Sequence, residues 1–404
     1  MNKSRHQFWT FRYALINITY YAGFCTIHAY AAVYLLAHGF SNTEVGILLA
    51  VSNILSAVLQ PFVAGIIDKP GWLTNRLFSL FSVIAIAVCS VLLMTVPENK
   101  ILIFVIYAFL YMVQFVYQPV VTALCFEYQK AGCDIIYGLA RGLGSAGFAV
   151  TSAFIGRLVE KEGVFVLLIA HVIIMALSAA SLFTFKKPGD ITESMYDTDA
   201  PAEAAHNNFF EFARVYPAFM LFLVGTICFF FAHNMINDFL IQIIRNLGGA
   251  ETELGYATFL AAMLELPVMA VIGLVLKKVS ADKLLILSGA AFFIKTLILV
   301  FAASIAMMFV SQSFQMLAYA VFVPASAYYV SRTMEDLDQV KGQAYVSSAI
   351  TVGGVFSNLI CGGILDSFGI RPMLVTGSVV CAAGVIITLM AFSILPHHVA
   401  ARPD

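Results

Sequence analysis

Charge is what this sequence has least of. Asp, Glu, Lys and Arg together make up 11% of its 404 residues, against about 25% in soluble globular domains, while 61% of the chain is hydrophobic. That balance excludes a water-soluble globule. A net charge of −1 leaves no basic surface of the kind that binds nucleic acid. The seven cysteines, Cys25, Cys89, Cys125, Cys133, Cys228, Cys361 and Cys381, show no metal-ligand spacing and no disulfide framework. Most sit in apolar runs and read as small hydrophobes. No nucleotide-binding loop, nucleophile-and-base motif or metal-ligand cluster occurs in the sequence, so neither an enzyme nor a cofactor is expected. No cleavable signal peptide is expected, because the first apolar run is too long for one.

Long apolar runs are what the chain has instead. Stretches of about 20 residues, enough to cross about 30 Å of hydrocarbon, recur at 11–37, 44–67, 77–96, 101–126, 135–159, 164–186, 212–246, 253–277, 282–303, 304–332, 338–367 and 371–396. They predict an all-α polytopic membrane protein with twelve transmembrane helices. With the N-terminus inside, fifteen basic residues fall at cytoplasmic ends and five at the opposite ends. That asymmetry fits the positive-inside rule for an even number of helices, so both termini are expected in the cytoplasm and the protein in the plasma (inner) membrane.

The chain repeats itself. The motif 43-TEVG-46 opens the second span and 252-TELG-255 the eighth, an offset of 209; the offset then becomes 206, pairing Pro61 with Pro267, Gly147 with Gly353, Gly156 with Gly362, Glu160 with Asp366 and Gly163 with Gly369. Markers in one order at near-constant spacing predict two pseudo-symmetric six-helix bundles, 1–186 and 209–404. Between them, 187–208 is polar and contains Pro and Gly, as a flexible cytoplasmic linker would.

Two six-helix halves, a central loop, and Gly65, Asp68, Lys69 and Gly71 between spans two and three look like the major facilitator superfamily and its gating-loop signature. The stretch 138-GLARGLGSAGFA-149 is similar to the helix-five motif of the lactose permease-like oligosaccharide/proton symporters and the related major facilitator-like group. The resemblance places Arg141 on the sugar-binding arginine and Phe148 on the sugar-stacking tryptophan, with Ala123 where the group carries a carboxylate. Lys295 falls on a helix-nine arginine, Tyr319 and Phe322 on a helix-ten His and Glu, and Asn234 and Asn237 on two helix-seven acids. The group's proton relay is therefore not copied. The resemblance implies a major facilitator fold, alternating access, and a proton-coupled importer of a solute.

Intramembrane polar residues mark where that chemistry would sit. Glu265 lies twelve residues from either end of its span, at 253–277, and a carboxylate at that depth costs roughly 2.5–3.5 kcal/mol on insertion scales. It reads as a proton acceptor, or as a structural partner of Lys295. His233, Asn234, Asn237 and Asp238 follow helical spacing on one face, and His233 and Asp238 join Glu265 and Lys295 as proton-coupling candidates. Arg141 is expected either to bind solute or to pair with Glu127 as a gate. The substrate-binding candidates are Arg141, Phe148, Asn17, Tyr20, His28, Gln60, Gln114, Gln118, Asn234, Asn237, Gln315 and Tyr319; interhelical hydrogen bonding accounts for such residues equally well. The expected function is proton-coupled symport of an oligosaccharide, glycoside or nucleoside. Proton-coupled efflux of amphipathic compounds, or uptake of aromatic carboxylates anchored on Lys295 and Arg141, are the alternatives. The expected partners are a small-molecule solute, protons and the lipid bilayer.

Overall fold

The computed structural model describes residues 3–67, 73–95, 99–186 and 209–393. Asp68, Lys69 and Gly71 of the loop signature and the 187–208 linker lie outside the described residues; Gly65 lies near the end of a helix. The described chain is helical throughout, without strands: α1 (Lys3–Phe24), a π turn (Cys25–Ala29), α2 (Ala31–Ala37), α3 (Asn42–Ile67), α4 (Asn75–Thr95), α5 (Lys100–Val116), α6 (Gln118–Lys130), α7 (Tyr137–Glu162) and α8 (Phe165–Thr184). Then come α9 (Phe209–Val215), α10 (Pro217–Asp238), α11 (Leu240–Asn246), α12 (Glu251–Val275), α13 (Ala281–Val300), α14 (Ile305–Ser313), α15 (Tyr319–Thr333), α16 (Gln339–Phe368) and α17 (Ile370–Ser393). Among the described residues, eleven helices are long and apolar enough to cross a membrane, counting α5–α6 and α14–α15 as one each. The expected first span, 11–37, is the rod made by α1, the π turn and α2. The protein is an integral, multi-pass membrane protein.

Several markers of the sequence repeat have a structural cause. At the start of α3, Glu44 accepts the Ser41 N–H at 2.7 Å and Ser41 Oγ accepts the Glu44 N–H at 3.1 Å, a capping box. At α12, Glu253 reaches back in the same way to the Ala250 N–H at 2.8 Å. Gly163 and Gly369 end α7 and α16 at φ of +87° and +84°, where a side chain would be strained. The 209 offset also runs further upstream than the sequence motifs suggested. Tyr30 and Phe239 break the first rod of each half at nearly the same dihedrals, φ/ψ −109/14° and −112/22°, and Gly39 and Gly248 follow at φ +75° and +82°.

Two compact units result. The first takes α1 to α8 together with Gly248–Met263, and the second takes the rest from α9 onward. In the first, α1 packs along α7 and α8, α4 on α8, and α3 on α5. In the second, α10 packs along α16 and α17, and α13 on α15 and α17, around a core that includes Phe222, Phe229, Phe230, Phe292 and Phe322. The sequence reading assigned all of 209–404 to one bundle, whereas the first half of α12 packs within the first unit. Small residues are the reason: a Cβ on Gly156 or on Gly255 would strike the other helix's backbone, and Ser152 Oγ donates to the Gly255 carbonyl at 2.8 Å.

Gly147 lies against Ile18 in the first unit, and Gly353 against Ile227 in the second, a repeat-related pair of contacts. A Cβ on Gly353 would lie 2.6 Å from the Ile227 carbonyl oxygen and 3.0 Å from the Phe231 nitrogen, whereas nothing lies within 4 Å of one on Gly363. Gly353→Ala is therefore expected to lower stability by about 1–3 kcal/mol through overpacking. Thermal unfolding in detergent checks this, with Gly363→Ala expected to show no loss.

Candidate functional site

Each unit brings part of the expected polar set together. In the second unit, Lys295 of α13 is 1% exposed, so its ammonium does not snorkel to a headgroup layer. Its Nζ donates to Gln315 Oε1 at 2.7 Å, and Gln315 Nε2 donates to Glu265 Oε1 at 2.7 Å. The amide is thereby oriented by its neighbours: an ammonium only donates and a carboxylate only accepts, so Gln315 presents oxygen to one and nitrogen to the other. Gln315 occupies a one-turn 3₁₀ segment, Phe314–Met316, between α14 and α15. That break in the helical ladder sets the amide between α13 and α12. Ser311 Oγ donates to the Lys295 carbonyl at 2.7 Å and pins the same stretch.

His233 lies close by on α10. Its ring is stacked on Tyr319 with centroids 5.4 Å apart and planes at 13°. Its Nε2 is 2.9 Å from Asn237 Nδ2, and its Nδ1 is buried without a hydrogen-bond partner. Asn234 turns back on its own helix, donating to the Phe230 carbonyl at 2.8 Å. Asp238, the last residue of α10, stands beside buried Asn358 of α16.

In the first unit, the Arg141 guanidinium lies 4.0 Å from the Tyr21 ring centroid, and Arg141 Nη1 donates to Ser145 Oγ at 2.7 Å. Gln118 Nε2 donates to the Tyr21 hydroxyl at 3.0 Å. Gly144 makes this stack possible, since a Cβ there would lie 2.7 Å from Tyr21 Cδ2. The expected pairing of Arg141 with Glu127 is not formed. Glu127 accepts from Asn75 Nδ2 at 2.9 Å instead, and the contacts of Arg141 are Ser145 and Tyr21.

Other substrate-binding candidates are structural in their contacts. Asn17 Nδ2 donates to the Tyr13 carbonyl at 3.1 Å, the Tyr20 hydroxyl to the Gln114 carbonyl at 3.0 Å and Gln60 Nε2 to the Phe115 carbonyl at 3.2 Å. Phe148 is half-buried with its ring 6.4 Å from that of Phe24. His28 and Gln114 point into the interior of the first unit beside His171. Sequence reasoning passed over His171; a histidine in the middle of an apolar run was the available signal. Among the described residues no cluster of His, Cys, Asp or Glu is arranged to hold a metal ion.

A model of the MFS_1 like family matches residues 10–395. The chain belongs to that family. Its fold is shared by crystal structures of the nucleoside transporter NupG: the chain is 12% identical to a substituted form, covering 96% of this chain and 100% of that one at a TM-score of 0.81. A bacterial homologue of the human lysosomal transporter Spinster, inward-facing and occupied, is 13% identical, with both chains covered over 100% at a TM-score of 0.71. At those identities the likeness is one of fold. No curated protein sequence matches the chain significantly. This member of the family is a membrane transporter, not an enzyme.

Gln315 should be the keystone of the second unit's polar group. Gln315→Leu leaves buried partners unsatisfied and is expected to lower stability by about 1–3 kcal/mol. In a Lys295→Met background the same change should cost far less. A double-mutant cycle read by thermal unfolding in detergent measures the difference.

Proposed function

We propose that the protein is a proton-coupled symporter of a small hydroxylated solute, a nucleoside, glycoside or oligosaccharide, working by alternating access. The observation that carries this reading is the Lys295–Gln315–Glu265 chain. A proton arriving on the Glu265 carboxylate turns it into a neutral carboxylic acid, and the positive charge of buried Lys295 then loses its balancing negative charge. In a medium of low dielectric such a change is worth several kcal/mol. It is therefore large enough to shift how α12 sits against the Gln315 turn. Arg141, Tyr21 and Gln118 supply what a planar hydroxylated solute needs: fixed N–H donors, an aromatic face and an amide. The fold of a nucleoside transporter supports a solute of that class. The distribution of basic residues supports the plasma membrane with both termini in the cytoplasm.

One observation favours a second reading. Arg141 has no carboxylate partner among the described residues, its contacts being Ser145 and Tyr21, and a guanidinium so placed pairs well with a carboxylate on the solute. Uptake of an aromatic carboxylate then rests on Arg141 alone, because Lys295 is already engaged.

In proteoliposomes, Glu265→Gln should abolish accumulation driven by a proton gradient, at least tenfold, while solute counterflow survives. Full gradient-driven accumulation by this variant would refute Glu265 as the coupling site. Running nucleosides, glycosides and aromatic carboxylates in parallel separates the two solute classes.

A further inference from the structure

The first unit carries a groove that transport of a solute leaves unused. It lies between α4 and α8 and holds about 350 Å³. Ala87 of α4 and Ala176 and Ala179 of α8 are short enough to leave it open, and all the residues around it are apolar. Val88 and Val91 on its rim are 51% and 45% exposed. The groove therefore opens away from the core of the unit, toward hydrocarbon.

Both helices lead the groove toward one end of the unit. On α4, Arg76, Val83 and Ala87 follow i, i+7, i+11 spacing, and on α8, Val172, Ala176, Ala179 and Phe183 follow i, i+4, i+7, i+11. Each set forms one helical stripe. The α4 stripe begins at a guanidinium. The α8 stripe ends beneath an ammonium, since Lys186 Nζ lies 5.2 Å from the Phe183 ring centroid. Arg76 joins the two helices: its Nε donates to the Leu182 carbonyl at 2.9 Å and its Nη2 to the Phe183 carbonyl at 2.8 Å. Arg12 of α1 donates to the Thr184 carbonyl. Carbonyls at a helix C-terminus hold cations, but they do not neutralise them. Among the described residues none of these three cations is in an ion pair, and Glu127 of α6 accepts from Asn75. The Nη1 hydrogens of Arg76 remain to donate.

We propose that this face binds one anionic phospholipid, its phosphate on Arg76 and Lys186 with Arg12 beside them, and an acyl chain in the groove between α4 and α8. The spacing fits a single molecule. Seven residues lead from Arg76 to Val83, about 10 Å of helix, and the hydrocarbon of one leaflet is about 15 Å deep. A chain anchored at the guanidinium thus reaches the groove within its own leaflet. The groove accepts any acyl chain, so the cations supply the selection: a guanidinium pairs well with phosphate, and basic sites between transmembrane helices suit anionic headgroups. A zwitterionic lipid brings its own ammonium to the same cations and gains less. A second copy docked through this face in the same membrane orientation would set like charges against each other. The inference rests on the chain lying in a bilayer and is independent of how transport is coupled.

Thermal unfolding of purified, delipidated protein in an uncharged detergent tests this, because a ligand that binds the folded state raises its apparent stability. Phosphatidylglycerol should raise the midpoint more than phosphatidylcholine with the same chains. Equal shifts by the two lipids, or a matching shift by inorganic phosphate alone, overturn the proposal. Lys186→Gln should weaken the apparent affinity for phosphatidylglycerol roughly fivefold, and Ala176→Phe, which fills the groove and leaves every charge in place, roughly tenfold. Both residues are exposed, so neither change threatens the fold. An unchanged response in either variant overturns the site. Native mass spectrometry of the same samples should show one retained lipid per monomer; a lipid-free dimer that Ala176→Phe dissociates assigns the groove to a second copy instead and also overturns it.

Discussion

Hydrocarbon offers no hydrogen bonds, so every polar group carried into the bilayer must find its partner within the protein. That constraint organises this molecule more than any single contact. Lys295 is tolerable because Gln315 accepts its N–H and itself donates to Glu265, an arrangement that holds only if α12, α13 and the turn between α14 and α15 are kept in register. Function and packing in the second unit are thus one arrangement.

The same constraint explains the tyrosines of the first unit. Their hydroxyls donate across helix boundaries to backbone carbonyls: Tyr13 to Val121 at 3.0 Å, Tyr30 to Ser152 at 2.9 Å, Tyr107 to Ile27 at 2.7 Å and Tyr128 to Phe185 at 2.7 Å. Each bond is worth about 0.5–1.5 kcal/mol net, and each fixes a pair of helices without a charge. They are ties between rods, whereas the rings of Tyr21 and Tyr319 lie against Arg141 and His233.

The spans and the repeat were legible because hydrophobic length and helix punctuation are written locally in a sequence; that Gln315 stands between Glu265 and Lys295 was not. The breaks inside spans were less so. Nothing in 25-CTIHA-29 announces a π turn, and the separation of α5 from α6 at Tyr117 is signalled only by Pro119. Which candidates would meet was the least legible part, since it depends on how helices rotate about their own axes. Arg141 turned toward Tyr21 rather than Glu127, and Gln114 turned inward toward a histidine that sequence reasoning had not singled out.

The matched breaks at Tyr30 and Phe239 carry a historical meaning. Two halves that keep the same kink at the same dihedrals, the same glycine turn after it and the same glutamate at the next helix start descend from one ancestral segment copied head to tail. The copies have kept their joints and exchanged their cargo of polar residues: His28 in one half corresponds, at the 209 offset, to Asn237 in the other. Duplication of this kind frees one copy to specialise while the other preserves the mechanics. The first half has come to hold imidazoles and a guanidinium, and the second an imidazole, an ammonium and two carboxylates, on frames whose bends still coincide.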